Sequence, residues 1–341
     1  MYKFEVLEVN DERWSEIISK ANVYDFHHTQ CFHKIEKNND TALLCVLFFD
    51  EDFIAFPILV REIHNTDYFD CTSVYGYGGP ISSCSFDVIS DQQISYFQNK
   101  MITFFKKSRI ISVFSRLHPL IQSEKIFSGF GNIIKLNKIV AIDLSLSLPD
   151  QRVQYRKSNK HGVNKLRRIG FSVVEAEGDI EIDAFLQIYK ETMERVNASD
   201  NYFFNKKYFY NFLKNNCFKN KLLLVKKEGE IVAGGIFTFT NNIMQYHLSG
   251  TKQKYLREAP MQLLLDEARL IGTELGFNFF NLGGGLGGSD NDSLFDFKAG
   301  FSKLRFQYCV WQFISDKKKY DELVIENNSS GDNSFFPQYR S

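Results

Sequence analysis

The same order of elements is predicted twice along this chain, and no other feature of the sequence limits its fold as strongly. In the second half, short apolar runs separated by turn residues predict three antiparallel strands, a helix and a further strand. The runs cover residues 221–225, 231–240 and 243–251, then a helix over 261–271 and a strand over 277–282. Pro260 suits the start of that helix, where no N–H is needed, and Gly276 ends it.

The first half repeats this pattern. Strands are predicted over residues 41–49, 53–63 and 67–76, a helix over 92–106 and a strand over 111–116. Helical sequence precedes each set, at 11–37 and at 182–216. We therefore predict two copies of one module, and a single large mixed sheet is the alternative. The predicted limits are 1–146, 147–318 and a flexible tail over 319–341, because the end of the chain is rich in Ser, Asn and Gly.

Composition excludes several classes of protein. The 341 residues carry 41 Lys plus Arg and 41 Asp plus Glu, and a net charge of zero disfavours a dedicated nucleic-acid-binding protein. A hydrophobic content of 44% disfavours a disordered chain. The first residues are mixed and charged, without the pattern of an export signal, which predicts a cytoplasmic location. The six cysteines form no Cys-x-x-Cys pair, so no metal site is expected.

Five short motifs occur in order between residues 40 and 315. They are Tyr75-Gly76-Tyr77-Gly78-Gly79-Pro80, then Tyr189, Thr192-Met193 and Arg195 followed by Tyr202, then Tyr246-His247-Leu248-Ser249-Gly250, then Leu282-Gly283-Gly284-Gly285, and finally the segment 292–301 with Lys298. As a set they resemble the FemABX-type transferases of the GNAT acyltransferase superfamily. The resemblance implies an α/β (α+β) fold of tandem GNAT-like domains, each a mixed, mainly antiparallel sheet flanked by helices.

The resemblance also implies a reaction. It points to an N-acyl- or aminoacyltransferase that forms an amide on an amine of a peptidoglycan or polysaccharide precursor. No tightly bound cofactor is expected, and the acyl donor is aminoacyl-tRNA or acyl-CoA. The acceptor is a UDP-linked or lipid-linked envelope precursor, with charged tRNA and a peripheral contact with the inner membrane surface as further candidate partners. The alternatives are an acyl-CoA-dependent N-acetyltransferase acting on an amino sugar and a GNAT-like scaffold that binds without turnover.

Lys298 and Tyr246 are the predicted catalytic residues. Lys298 lies between Phe297 and Phe301, and a cation among aromatic residues needs a partner or a function. The resemblance puts it near the transferred carbonyl; a surface lysine with its stem on the aromatics is the alternative. Tyr246 and His247 should point to opposite faces of one strand, and the resemblance favours Tyr246 over His247 for the reaction gap, with His247 as a substrate-binding candidate. The chain carries no Ser-His-Asp pattern with a nucleophile elbow, which favours direct attack on the donor.

The remaining candidates are substrate-binding residues, each with a structural alternative. Gly284 and Gly285, in the glycine-rich loop 283–288, line a substrate gap or form a turn. Arg195 and Tyr202 bind a phosphate or carboxylate of the acceptor, or form a surface ion pair and a core aromatic. Tyr75 and Tyr77 bind the acceptor between the domains, or pack around the Gly-Gly-Pro turn.

Two further stretches bear on the donor. Acyl-CoA enzymes of this fold carry a glycine-rich turn before the central helix, but residues 257–262 contain Pro260 and no glycine, which weakens the acyl-CoA alternative. The stretch 152–168 holds basic residues, including Arg156, and no acid. It predicts a helix that contacts tRNA, a diphosphate or an anionic membrane, or else a solvated helix with Val163 and Leu166 packed inward.

Overall fold

A computed structural model describes residues 2–285, 292–327 and 335–341. The chain forms two compact units, one of Met1–Leu136 with Gln307–Ser341 and one of Asn137–Phe306. Each unit contains strands of a sheet with helices packed on them.

Residues up to 131 contain the following strands and helices. The strands are β1 (Tyr2–Glu8), β2 (Thr41–Phe49), β3 (Asp52–Glu62), β4 (Phe69–Thr72), β5 (Ile81–Ser82) and β6 (Ile110–Leu117), and the helices are α1 (Arg13–Ser19), α2 (Gln30–Glu36) and α3 (Asp91–Lys107).

The rest of the described chain continues the series. The strands are β7 (Asn132–Asp143), β8 (Phe171–Glu175), β9 (Lys219–Lys227), β10 (Glu230–Thr240), β11 (Ile243–Thr251), β12 (Phe279–Gly283) and β13 (Arg305–Ile314). The helices are α4 (Leu148–Val153), α5 (Lys157–Arg168), α6 (Asp179–Arg195), α7 (Lys206–Leu213), α8 (Met261–Glu274), α9 (Ser293–Ala299) and α10 (Lys317–Glu326).

The strands of the two units have the same order of directions. In the first unit the neighbours run β1-β2-β3-β4-β6-β13, and in the second they run β8-β9-β10-β11-β12-β7. In each, three antiparallel pairs are followed by a parallel pair and a last antiparallel pair. The connection between the parallel strands is α3 in one unit and α8 in the other. The predicted duplication and the α/β class of mixed, mainly antiparallel sheets flanked by helices are therefore confirmed.

The helix that connects the parallel strands packs on its sheet through one apolar face. In α3 the buried side chains are Ile94, Phe97, Met101 and Phe105, at the spacing of a single helix face. Ser90 caps this helix by accepting a hydrogen bond from the Gln93 N–H. In α8 the buried face is wider and includes charged side chains as well.

The limits of the units differ from those predicted. Strand β7 crosses the position where the chain passes from one unit to the other, and only its last residues, 140–143, pair with β12. The chain then returns to the first unit at residue 307, because Cys309–Ile314 of β13 pairs with β6. The boundaries at 136/137 and 306/307 therefore replace those expected at 146/147 and 318/319.

The segment expected to be a flexible tail contributes to the first unit. Tyr320 and Leu323 of α10 and the later Tyr339 are buried with Ile63 and Ile111 in one apolar cluster. The Tyr339 hydroxyl also donates to Asp70 at 3.1 Å. Residues 328–334 of this segment lie outside the described residues. Among the helices of the described chain, none combines the length and apolar character needed to cross a membrane.

Candidate active site

Lys298 is a buried cation in the second unit. It lies on α9, which Asp292 caps by accepting hydrogen bonds from the Leu294 and Phe295 N–H groups at 2.8 and 2.9 Å. Only 7% of Lys298 is exposed, and its Nζ donates to the Gly284 carbonyl oxygen at 2.6 Å. Burial lowers the pKa of Lys298 to about 8, and the negative charge of Asp292 acts in the opposite direction. The side chain is therefore mostly protonated at pH 7.

The glycines that precede α9 allow close packing around this lysine. A Cβ on Gly284 would lie 2.9 Å from Asn137 Nδ2, and a Cβ on Gly285 would lie 1.5 Å from Asp292 Oδ2. Larger residues would therefore displace the loop that supplies the carbonyl partner of Lys298. The predicted glycine-rich loop extends to residue 288, and its residues 286–288 lie outside the described residues.

Tyr246 lies beside Lys298. The Lys298 Nζ is 5.8 Å from the centroid of the Tyr246 ring, and the ring stacks on Phe237 with centroids 5.5 Å apart. The hydroxyl donates to Ser249 Oγ. Burial raises the pKa of Tyr246 to about 12, so the phenol is neutral at pH 7 and acts as a donor.

His247 is the extra residue of a β-bulge. Ile236 of β10 pairs with Leu248 and the next residue, Phe237, pairs with Tyr246, so His247 has no opposite residue on β10. Its ring stacks on Phe212 of α7 at 4.6 Å, and its Nε2 is 3.2 Å from the Tyr208 hydroxyl. The structure thus brings Tyr246 to Lys298 and places His247 against α7.

Arg195 connects α6 to β11. Its Nη1 donates to the Thr251 carbonyl oxygen at 3.0 Å, and its Nη2 donates to Thr192 Oγ1 at 3.4 Å. The Thr251 N–H returns a hydrogen bond to Thr192 Oγ1 at 3.0 Å. Tyr202, the aromatic that follows this motif, accepts from the Tyr189 hydroxyl through its backbone oxygen at 2.9 Å. These contacts give Arg195 and the backbone of Tyr202 structural roles, whereas anion binding by them remains an expectation.

Arg156 holds the helix that carries Lys298. Its two Nη atoms contact the Asp296 carboxylate of α9 at 2.9 and 2.8 Å, and its N–H donates to the Gly300 carbonyl oxygen at 2.8 Å. A Cβ on Gly300 would lie 2.6 Å from Asn159 Nδ2 of α5, so the two helices are in close contact. Arg156 thus positions α9, and its guanidinium is already paired with a carboxylate.

Two more arginines of the basic stretch 152–168 belong to a buried ion network. Asp266 of α8 is fully buried and accepts from Arg152 at 2.7 Å, Arg167 at 2.8 Å, Arg269 at 3.2 Å and the Tyr155 hydroxyl at 3.0 Å. Burial alone would raise the pKa of Asp266, but the arginines hold it below the ordinary value. Val163 and Leu166 of α5 are buried, as predicted. Sequence reasoning missed this network because Asp266 lies about a hundred residues away in the chain.

The start of α8 offers few free N–H groups. Pro260 has none, the Gln262 N–H donates to the Ala259 carbonyl at 3.0 Å, and the Leu263 N–H donates to the Pro260 carbonyl at 3.1 Å. Helix α5 also packs on this end, since a Cβ on Gly162 would lie 1.7 Å from Gln262 Oε1. The start of α8 therefore lacks the set of free N–H donors and the space with which a helix N-terminus usually binds a pyrophosphate.

In the first unit, the Tyr75–Pro80 motif lies on a buried cluster of Asp25, His27 and His118. The His27 Nδ1–H and His118 Nε2–H groups donate to Asp25 Oδ2 at 2.9 and 3.1 Å. The Tyr77 ring centroid is 5.6 Å from that of His27 and 5.5 Å from that of His118. The Tyr75 N–H donates to Glu36 Oε2 at 3.3 Å. Sequence reasoning did not find this cluster, because His118 is far from the other two residues in the chain.

The cluster has the composition of a metal site, which the sequence did not lead us to expect. One ligand atom from each of Asp25, His27 and His118 lies within 4.8 Å of the others. However, the Leu120 N–H donates to His118 Nδ1 at 3.2 Å, so the ring proton lies on Nε2, the atom that would bind the ion. Burial would raise the pKa of Asp25, but its hydrogen bonds with His118 and His27 lower it, and burial lowers that of His27. The arrangement fits a carboxylate between two neutral imidazoles better than a metal centre.

Comparisons with known proteins agree with this architecture. No family model and no curated protein matches the sequence. The crystal structure of FemX matches with a TM-score of 0.71 and 12% identity, over 93% of this chain and 99% of FemX. The chain has the FemX fold.

Two other solved structures share the FemX fold of this chain. The C-terminal domain of a putative lysylphosphatidylglycerol synthetase from Agrobacterium fabrum has a TM-score of 0.56 and 14% identity, over 93% of this chain and 94% of its own. A tandem GNAT protein from the clavulanic acid biosynthesis pathway has a TM-score of 0.52 and 8% identity, over 92% of this chain and 99% of its own. The predicted resemblance to FemABX-type, tandem GNAT-like proteins is thus confirmed at the level of the fold.

Proposed function

We propose that this protein is an N-acyl- or aminoacyltransferase that forms an amide on an amine of a cell-envelope precursor, of peptidoglycan or polysaccharide. The observation that carries the proposal is Lys298, a buried cation whose hydrogen bond goes to a neutral carbonyl beside the Tyr246 phenol. A buried cation with a lowered pKa, which no carboxylate of the described residues contacts at ion-pair distance, costs stability and is characteristic of functional sites. The FemX fold supports the same class of reaction.

The proposed role of Lys298 is to stabilise the oxyanion that forms when an amine attacks the donor carbonyl. An ammonium has three N–H donors, and the Gly284 carbonyl uses one of them. Among residues 2–285, 292–327 and 335–341 no second acceptor bonds to Nζ, so the other two N–H groups are proposed to bind the oxygen that becomes negative during acyl transfer, where burial strengthens the interaction. Tyr246, kept neutral by burial, is the proposed group that orients the donor or protonates the leaving group.

The preferred donor is aminoacyl-tRNA. The start of α8, where Pro260 lacks an N–H and the next N–H groups are bonded within the turn, disfavours acyl-CoA. The proposed acceptor is a UDP-linked or lipid-linked precursor, handled in the cytoplasm or at the inner membrane surface. Lys157 and Lys165 of α5 are exposed and are proposed to contact tRNA or anionic headgroups.

A donor screen tests the proposal. The purified chain is incubated with charged tRNA or acyl-CoA and with UDP-linked or lipid-linked amine acceptors, and amide products are detected by mass spectrometry. Lys298→Met should lower turnover by roughly 10²–10³-fold, as expected for loss of an oxyanion donor. Lys303→Met, which removes an exposed cation five residues after Lys298, should leave turnover unchanged.

The outcomes separate the alternatives. Transfer from acyl-CoA and never from charged tRNA would overturn the donor assignment and favour an amino-sugar N-acetyltransferase. Equal turnover by the wild type and Lys298→Met would overturn the role of the lysine. Specific acceptor binding without transfer from either donor would favour a scaffold that does not catalyse.

A further inference from the structure

The first unit contains a cavity of about 310 Å³ that the proposed reaction does not use. Three arginines, Arg61, Arg116 and Arg340, line it together with apolar side chains that include Phe114, Val310 and Phe336. The cavity therefore combines cationic and apolar lining. Its volume is at the lower end of the range of ligand pockets, about 300–1,000 Å³, which suits a small molecule and not a polymer.

Two of the arginines are partly neutralised by a buried carboxylate. Asp70 accepts from Arg61 Nε at 2.7 Å and from Arg340 Nε at 2.5 Å. Asp40 lies within electrostatic range of both arginines. Even with both carboxylates counted, three guanidiniums face two negative charges, so the cavity keeps an excess of positive charge.

Arg116 supplies this excess. Its guanidinium lies 5.0 Å from the centroid of the Phe114 ring, and among the described residues no carboxylate lies within ion-pair distance of it. Its backbone is fixed, because its N–H donates to Ser73 Oγ at 3.1 Å and its carbonyl accepts from the Gly78 N–H at 2.9 Å. A planar donor group on a fixed strand is well suited to bind a carboxylate or a phosphate through two hydrogen bonds.

The apolar lining of the cavity favours a ligand that also carries an apolar group. Phe114 and Arg116 are two residues apart on β6, so they share one face of the strand. A ligand whose oxyanion contacts Arg116 therefore has its remaining atoms beside Phe114. Val310 and Phe336 extend this apolar surface. An inorganic anion would leave that surface exposed to water, whereas an apolar group on the anion would cover it.

We propose that this cavity binds a small organic oxyanion that carries an apolar group, with its carboxylate or phosphate on Arg116 and its apolar group against Phe114, Val310 and Phe336. The site belongs to the first unit, whereas the proposed amide-forming residues belong to the second. Ligand binding in this cavity can therefore be tested independently of the proposed function.

Calorimetric titration of the full chain with phenyl phosphate, benzoate and inorganic phosphate tests the site. The organic anions should bind, and inorganic phosphate should bind at least several-fold more weakly. Arg116→Met should weaken the organic anions by about 10-fold or more, the effect of losing a hydrogen bond to a charged group. A preference for phenyl phosphate over benzoate would identify a phosphate ligand, and the reverse preference a carboxylate.

Two further variants make the test decisive. Arg109→Met removes an arginine from the same unit whose side chain is 56% exposed, and it should bind as the wild type does. Arg116→Lys keeps the charge without the planar fork and should show an intermediate affinity, with an unchanged circular dichroism spectrum. No binding by the wild type, or equal binding by Arg116→Met and the wild type, would overturn the proposal.

Discussion

Replacing Lys298 by methionine should stabilise the protein while it lowers turnover. The folded protein holds the ammonium in a site where its pKa is about 8, against an ordinary value of 10.5. The difference of 2.5 units corresponds to about 3 kcal/mol of unfavourable free energy in the folded state at pH 7, at ~1.4 kcal/mol per unit. Methionine has a similar length, no charge and a low cost of burial.

The lost hydrogen bond to Gly284 offsets part of this gain. A bond from a charged donor contributes about 1.5 kcal/mol or more. Subtracting this from about 3 kcal/mol leaves an expected increase of up to about 1.5 kcal/mol in the free energy of unfolding at pH 7. A residue whose removal improves stability and reduces activity is one that the fold retains at a cost for its function.

The stability difference between the two proteins depends on pH. The unfolded chain binds the Lys298 proton more tightly than the folded protein does, so the cost is complete below pH 8. It decreases as the pH rises from about 8 to 10.5, where the lysine is neutral in the folded state. Urea denaturation of both proteins at pH 7 and at pH 10 measures this difference directly. A variant less stable than the wild type at pH 7, or a stability difference that is the same at both pH values, would refute the reasoning.

Two more substitutions test buried clusters through the free energy of unfolding. Asp266→Asn should destabilise by about 3–5 kcal/mol, because Arg269, 2% exposed, would lose its buried counter-charge; urea denaturation measures the loss. Gly76→Ala should destabilise by about 1–3 kcal/mol, since Gly76 has φ +91° and a Cβ would lie 2.3 Å from His27 Nε2. Gly129→Ala is its control, with φ +68° and open space around the Cβ, and equal losses in the two variants would contradict the clash.

The sequence predicted the elements that have a strong local pattern. The strands over 41–49 and 243–251 match the structure residue for residue, and both helices that connect parallel strands are present. It did not predict β1, β7, β8 or β13. Strand β7 begins with a mixed polar stretch and β8 is short, so neither has a clear alternation. The pairing of β13 with β6 joins Cys309 to Leu117, and no local signal reports a contact over such a separation.

The same limit applies to the candidate site. The motif around Lys298 is recognisable because its aromatic neighbours are close in sequence, whereas the hydrogen bond from Lys298 to the Gly284 carbonyl was not predicted. The carboxylate partners of Arg152 and Arg156 lie more than a hundred residues away. The stretch 152–168 itself contains no carboxylate that would indicate an ion pair. A charge count along the chain therefore overestimates the positive surface of the stretch 152–168.

The buried charges of this protein differ in how they are neutralised. This difference indicates which buried charge is best explained by a substrate. Asp266 is surrounded by arginines, and Asp25 accepts from two imidazoles, so each is stabilised by groups that the fold itself supplies. Lys298 donates to a neutral carbonyl, and its charge remains costly. A group whose charge is satisfied within the fold needs no substrate to explain it, whereas a costly charge is best explained by a ligand that becomes negative beside it during the reaction. Lys298 therefore carries the argument for acyl transfer better than either of the more elaborate clusters.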